Sequence, residues 1–225
     1  MKLHGLQWAK MNKKVKQALL LLTILVFPSL FYVILSTGKQ NIARVPFYGP
    51  RQVDPENFIK RDIPDTIYYT VPNTEFIDSE NNTFGWEAYN DQILILHFFC
   101  TSCYNENYRV LEQMGKLYDR FNDKPEVTLV TVLIDSADTW QAIDELSEYA
   151  MGKSEKWKVV RLANSSWETF LVDDLKLQEP NPRSLVVLDE DRHIRGQFDG
   201  LQYIETNSAI DVVKALRFSF YRSKK

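Results

Sequence analysis

The stretch ILILHFFCTSC, Ile93 to Cys103, constrains the fold more than any other in the chain. Its first seven residues are apolar except His97. Such a run reads as a central strand buried on both faces. Directly after it, Val110, Leu111, Met114, Leu117 and Phe121 recur at helical spacing. A buried strand therefore runs into an amphipathic helix, and a C-x-x-C pair marks the junction. Cys100 and Cys103 are the only cysteines. Two are too few for a disulfide scaffold, so they read as a redox dithiol, a metal clamp or the relic of either.

The rest of the chain extends this unit. TIYYTV reads as a strand, and EFIDSENNTFGW as two short strands around an Asn-rich turn. EVTLVTVLI and KWKVVRLA are further strands, and SLVVLDE with HIRGQFDG forms a pair joined by a charged turn. Capping pairs predict helices after Asp138 with Gln141, Ser165 with Glu168, and Ser208 with Asp211. The order is a β-hairpin, then β-α-β-α-β-α, then β-β-α. It implies an α/β domain with a mixed sheet and helices on both faces. With C-x-x-C after the first long strand, the expectation is a thioredoxin-like fold.

Gln17 to Gly38 carries no charged residue. As a helix it measures ~33 Å, which matches a hydrocarbon core of ~30 Å. Lys10, Lys13, Lys14 and Lys16 precede it, which predicts a cytoplasmic N-terminus and an exported main domain. The alternative is a cleaved signal peptide, but its apolar region is shorter and ends in a small-x-small site, which is missing here. Proline inside the span, at Pro28, is tolerated in membrane helices. The expected division is a cytoplasmic tail at 1–16, a transmembrane anchor at 17–38, an irregular arm or linker at 39–64 and one globular domain at 65–225. The net charge of −3, with interleaved signs, excludes a dedicated nucleic-acid binder.

Several motifs carry a family resemblance. They are VPFYGP (Val45–Pro50), DTIYYTVPNTEF (Asp65–Phe76), FFCTSC (Phe98–Cys103), Asp138 with Thr139, and HIRGQFDG (His193–Gly200). Over roughly residues 39–220 the chain resembles the SCO/SenC proteins, membrane-anchored thioredoxin-fold proteins linked to copper delivery for cytochrome oxidase. The resemblance implies a copper site of two cysteines and one histidine. Position by position, Cys103 matches the first ligand, Asn107 stands at the second, and the histidine position falls on or next to Asn181. One metal ligand, Cys103, survives. An amide does not replace thiolate or imidazole for a soft cation, so tight copper binding of the family type is not expected. Cys100 takes the place of the third Phe in the family's FFFTSC. The pair is shifted back by one turn relative to a thioredoxin dithiol, whose second cysteine position here is Glu106. Pro182 lies at or within one residue of the place where thioredoxin folds carry a cis-proline.

Cys103, Cys100 and His97 are the candidate redox residues. A helix N-terminus activates a thiol, which favours Cys103. A Cys100–Cys103 disulfide needs Cα atoms ~4.4–6.8 Å apart, which a turn through Thr101 and Ser102 allows and a continuing strand does not. His97 stands where the family carries an acidic residue, and reads as a proton acceptor, a metal ligand or a core histidine bonded to a backbone carbonyl. All three could hold Cu(I) or Zn only if the strand ends between His97 and Cys100. His193 reads as a solvated turn residue. No phosphate loop, paired-carboxylate or Ser-His-Asp signature supports a classical enzyme. Two functions follow. One is an accessory to copper handling or thiol redox in respiratory oxidase assembly, at the outer face of the cell (inner) membrane in the periplasm. Its partners would be an oxidase subunit or assembly factors. The other is a degenerate thioredoxin-fold binding module with no metal or redox chemistry.

Overall fold

This computed structural model describes residues 12–37, 45–60, 63–100, 106–135, 140, 154–164, 166–179 and 181–224. The chain divides into two units, Met1–Ile42 and Ala43–Lys225. In the first, α1 (Lys13–Thr37) is a continuous helix with Pro28 inside it. Its side chains from Leu19 to Val33 are exposed, and it is long and apolar enough to cross a bilayer. The Thr23 and Ser29 hydroxyls donate to the carbonyls of Leu19 and Leu25, at 2.9 and 3.0 Å. That satisfies both hydroxyls without water, as lipid requires.

The second unit opens with a two-stranded antiparallel ribbon, β1 (Arg51–Lys60) and β2 (Ile63–Tyr68). The sequence had read residues 39–64 as irregular. The Asp54 carboxylate accepts the N–H groups of Glu56 and Asn57, which shifts the register between Asp54 and Phe58 and hides the period-two pattern. There follow β3 (Phe76–Ile77), β4 (Thr83–Phe84), a short 3-10 turn (Trp86–Tyr89) and β5 (Ile93–Phe99). Next come α2 (Glu106–Phe121), β6 (Val127–Leu133), β7 (Trp157–Leu162), β8 (Ser184–Leu188), β9 (Ile194–Asp199) and α3 (Tyr203–Ser223).

Strands β3 to β9 form one sheet in the order β4-β3-β7-β6-β5-β8-β9. β5 pairs parallel with β6 and antiparallel with β8, so the sheet is mixed as expected. Every residue of β5, β6 and β8 is buried. Odd residues of β5, among them Ile95 and Phe99, pack under α2 and α3 with Leu111, Met114 and Leu216. Even residues, among them Leu96 and Phe98, face Trp86, Phe170 and Leu175. Each such Leu or Phe contributes ~1.5–3 kcal/mol by leaving water.

Two caps differ from the sequence reading. Ser166, not Ser165, caps the short helix Trp167–Thr169, accepting the Thr169 N–H. α3 starts at Tyr203, so Ser208 lies inside it and donates to the Ile204 carbonyl. Its N-cap is Gln202, with no side-chain cap, and the Glu205 carboxylate takes the Asp199 N–H of the preceding turn. Ser165 and the helix expected after Asp138 and Gln141 lie outside the described residues.

Three of the quoted motifs meet at one buried carboxylate. Asp189, at the end of β8, binds Arg195 at 2.7 Å and His193 at 3.3 Å. Burial pushes this carboxyl up, but hydrogen bonds from His193 and Arg195 outweigh it and hold it below the ordinary value. The same guanidinium donates to the carbonyls of Val45 and Pro46 and lies 3.8 Å from the centre of the Phe47 ring. Phe47 stacks on Tyr68, and His193 meets both rings edge-on. His193 is therefore a packed member of this cluster and not a solvated turn residue. Gly49 completes the bend with φ +93°, where a Cβ would come within 2.9 Å of Tyr69.

Breaking a buried ion pair from one side leaves an uncompensated charge. Arg195→Met is expected to destabilise the domain by roughly 3 kcal/mol. Adding Asp189→Asn should recover part of that loss. Urea unfolding of the three proteins checks this, and equal losses in the single and double variants would contradict it.

Candidate functional site

β5 ends at Phe99, whose carbonyl accepts the Ile134 N–H at 3.0 Å. The chain leaves the sheet at Cys100, which is 1% exposed and disulfide-bonded. The one other cysteine in the sequence is Cys103. Cys103 lies outside the described residues. The described part of α2 begins at Glu106. Asn107 is in its first turn; its side chain is not described.

The register between β5 and β8 brings a second segment to this end. His97 pairs with Leu185. β8 begins at Ser184, two residues after Pro182. No cis peptide bond occurs among the described residues, so the Asn181–Pro182 bond is trans. The Asn181 amide is already engaged. Its oxygen accepts the Arg183 N–H at 2.9 Å, and its nitrogen donates to the Glu179 carbonyl at 3.2 Å. Gly200 closes the same corner, since a Cβ there would meet the Val110 side chain at 2.7 Å and the Arg183 carbonyl at 2.9 Å.

His97 is fully buried. Its Nδ1 lies 3.3 Å from the Thr131 hydroxyl, which also accepts the Trp157 indole N–H at 2.9 Å. The partner is thus a side chain on β6, not a backbone carbonyl. Nε2 has no hydrogen-bond partner. Burial lowers the His97 pKa to about 3, so the ring is neutral at physiological pH. Thr131 and Trp157 escaped the sequence reading. Both lie in strands, and only the cross-strand register brings them to His97.

Among the described residues no group of three His, Cys, Asp or Glu side chains is arranged to hold a metal. Asn181 is a hard amide occupied in capping its own turn.

These elements define an α/β domain of the thioredoxin-like class, with a disulfide where the central strand leaves the sheet. No family model and no curated protein matches the chain. Among solved structures, a SCO1/SenC family lipoprotein from Bacillus anthracis str. Ames superposes with a TM-score of 0.55 at 17% identity, over 66% of this chain and 95% of that one. A candidate electron transfer protein from Aquifex aeolicus VF5 gives 0.52 at 21% identity, over 65% and 96%. A thiol-disulfide oxidoreductase from Bacteroides fragilis NCTC 9343 gives 0.50 at 10%, over 64% and 99%. The chain shares the fold of these SCO/SenC and thiol-disulfide proteins.

The neutral burial of His97 has a measurable consequence. Between the folded value of about 3 and the unfolded value near 6.5, the unfolded chain binds a proton that the folded chain excludes. Stability from this group is complete above pH ~6.5 and falls by roughly 1.4 kcal/mol per unit as pH drops below it. His97→Leu should flatten the stability profile between pH 4.5 and 6.5. An unchanged slope in denaturant titrations would show that His97 is not held neutral.

Proposed function

We propose that the chain is a divergent SCO/SenC-type protein that works by thiol redox in the assembly of a respiratory oxidase. The segment Gln17–Gly38 anchors it, and the main domain faces the outside of the cell membrane. The observation that carries this reading is the disulfide at Cys100, at the end of the central strand of a thioredoxin-like sheet. Cys103 and Cys100 form the reacting pair, and His97, held neutral by burial, precedes Cys100 on the same strand. The arm and hairpin motifs, clamped together around Arg195, support the SCO/SenC assignment over a general thioredoxin.

Copper handling is the less favoured branch of the same reading, because Asn181 is engaged and Asn107 supplies no soft donor. The second reading, a binding module without chemistry, draws on the depth of the site. Cys100 and His97 are both shut off from solvent.

The full chain in detergent separates these readings. Thiols are counted before and after equilibration with a glutathione redox buffer, and Cu(I) is offered in competition with a chelator. The expected result is two thiols that appear on reduction and vanish on reoxidation, with no copper retained. Stoichiometric copper that is lost in Cys103→Ala would instead make the protein a copper carrier. Two thiols that never cycle would leave the binding module. In cells, Cys103→Ala should lower oxidase activity, and an oxidase unaffected by deletion of the whole protein would remove the oxidase assignment.

A further inference from the structure

We infer that a cavity at the end of the sheet opposite Cys100 binds an organic cation, through a primary ammonium or guanidinium head. The inference goes beyond the cysteine chemistry and does not depend on it. The cavity holds about 330 Å³, at the small end of the ~300–1,000 Å³ range of ligand sites. It lies where β5 begins and β8 ends, against Leu94 and Asp189. Leu94 precedes Cys100 by six residues of extended chain, roughly 20 Å at ~3.3 Å per residue. Asp189 is already neutralised by Arg195 and His193. The next two acids in the lining are not. Glu190 is half-buried and Asp191 exposed, and among the described residues no cation pairs with either. Burial, with Asp189 and Asp191 on either side, raises the Glu190 carboxyl above its ordinary value. Arg192, the cationic residue of the lining, gives its guanidinium to the Asn73 amide oxygen at 2.8 Å instead. A half-buried carboxylate without a counter-charge is stabilised by a cation that enters beside it.

A second observation is independent of charge. Tyr89 lines the same cavity, is 7% exposed, and its buried hydroxyl has no hydrogen-bond partner. Buried hydroxyls are as a rule paired. A ligand N–H supplies the missing partner, with the hydroxyl oxygen accepting. Trp86 and Tyr89 also give the lining aromatic surface, which attracts organic cations. A bare metal ion fits poorly, because among the described residues no three His, Cys, Asp or Glu side chains are grouped to hold one.

Isothermal titration calorimetry on the full chain in detergent tests the assignment. The probes are agmatine, a blocked glycyl-arginyl-glycine peptide and magnesium ion. The expected result is one organic cation bound per chain and no magnesium. Tighter binding of agmatine marks a free amine as the source of the cation, and tighter binding of the peptide marks a basic side chain of a partner protein. Glu190→Gln, close in shape, should weaken binding about tenfold. Tyr89→Phe should weaken it about threefold and leave the urea midpoint unlowered, since the lost hydroxyl leaves no partner behind. Asp123→Asn, at an exposed carboxylate elsewhere on the domain, should change nothing. No binding of either organic cation at about 5 mM would overturn the inference. So would equal binding of magnesium, or an affinity unchanged in Glu190→Gln.

Discussion

A carboxylate without solvent organises the side of the domain away from the cysteines. Asp189 ends β8, and the groups that neutralise it come from the turn and strand that follow, His193 and Arg195. Arg195 has more donors than Asp189 can use, and the remaining ones seize the carbonyls of Val45 and Pro46. One buried charge thus decides where the N-terminal arm lies. The arm delivers Phe47 to Tyr68, the last residue of β2. Without the carboxylate the guanidinium loses its counter-charge, and the arm's hold on the sheet falls back on bonds such as the Tyr48 N–H to the Ile194 carbonyl.

The sheet was legible in the sequence because its central strands are buried on both faces. ILILHFF and VTLVTVL cannot be read as anything solvated, and their order with the intervening helix dictates a parallel pair. The hairpin was less legible. Asp54 turns its side chain onto its own backbone and breaks the alternation that a strand normally displays. Cap positions were misread where no side chain caps the helix, as at Gln202 before α3, or where the neighbouring serine takes the role, as Ser166 does.

The site was legible in its parts and not in its depth. The C-x-x-C pair marks itself. That Cys100 is sealed, and that His97 spends its Nδ1 on Thr131, depends on which strands flank β5. Those neighbours are fixed by long-range pairing, which local patterns do not encode. The resemblance to SCO/SenC proteins led to the expectation of a ligand position on or next to Asn181, and in the structure Asn181 holds the turn into β8 together.

The clamp at Arg195 also sets a path for mechanical load. Arg195 grips Val45 and the next residue directly, so a pull that reaches Val45 along the chain from the N-terminal side meets this clamp. The load passes from there through Asp189 into β8, a fully buried inner strand of the sheet. The exposed ribbon of β1 and β2 comes later in the chain and carries none of it until the clamp gives way. The domain is held, in effect, by its strongest strand and not by its loosest one.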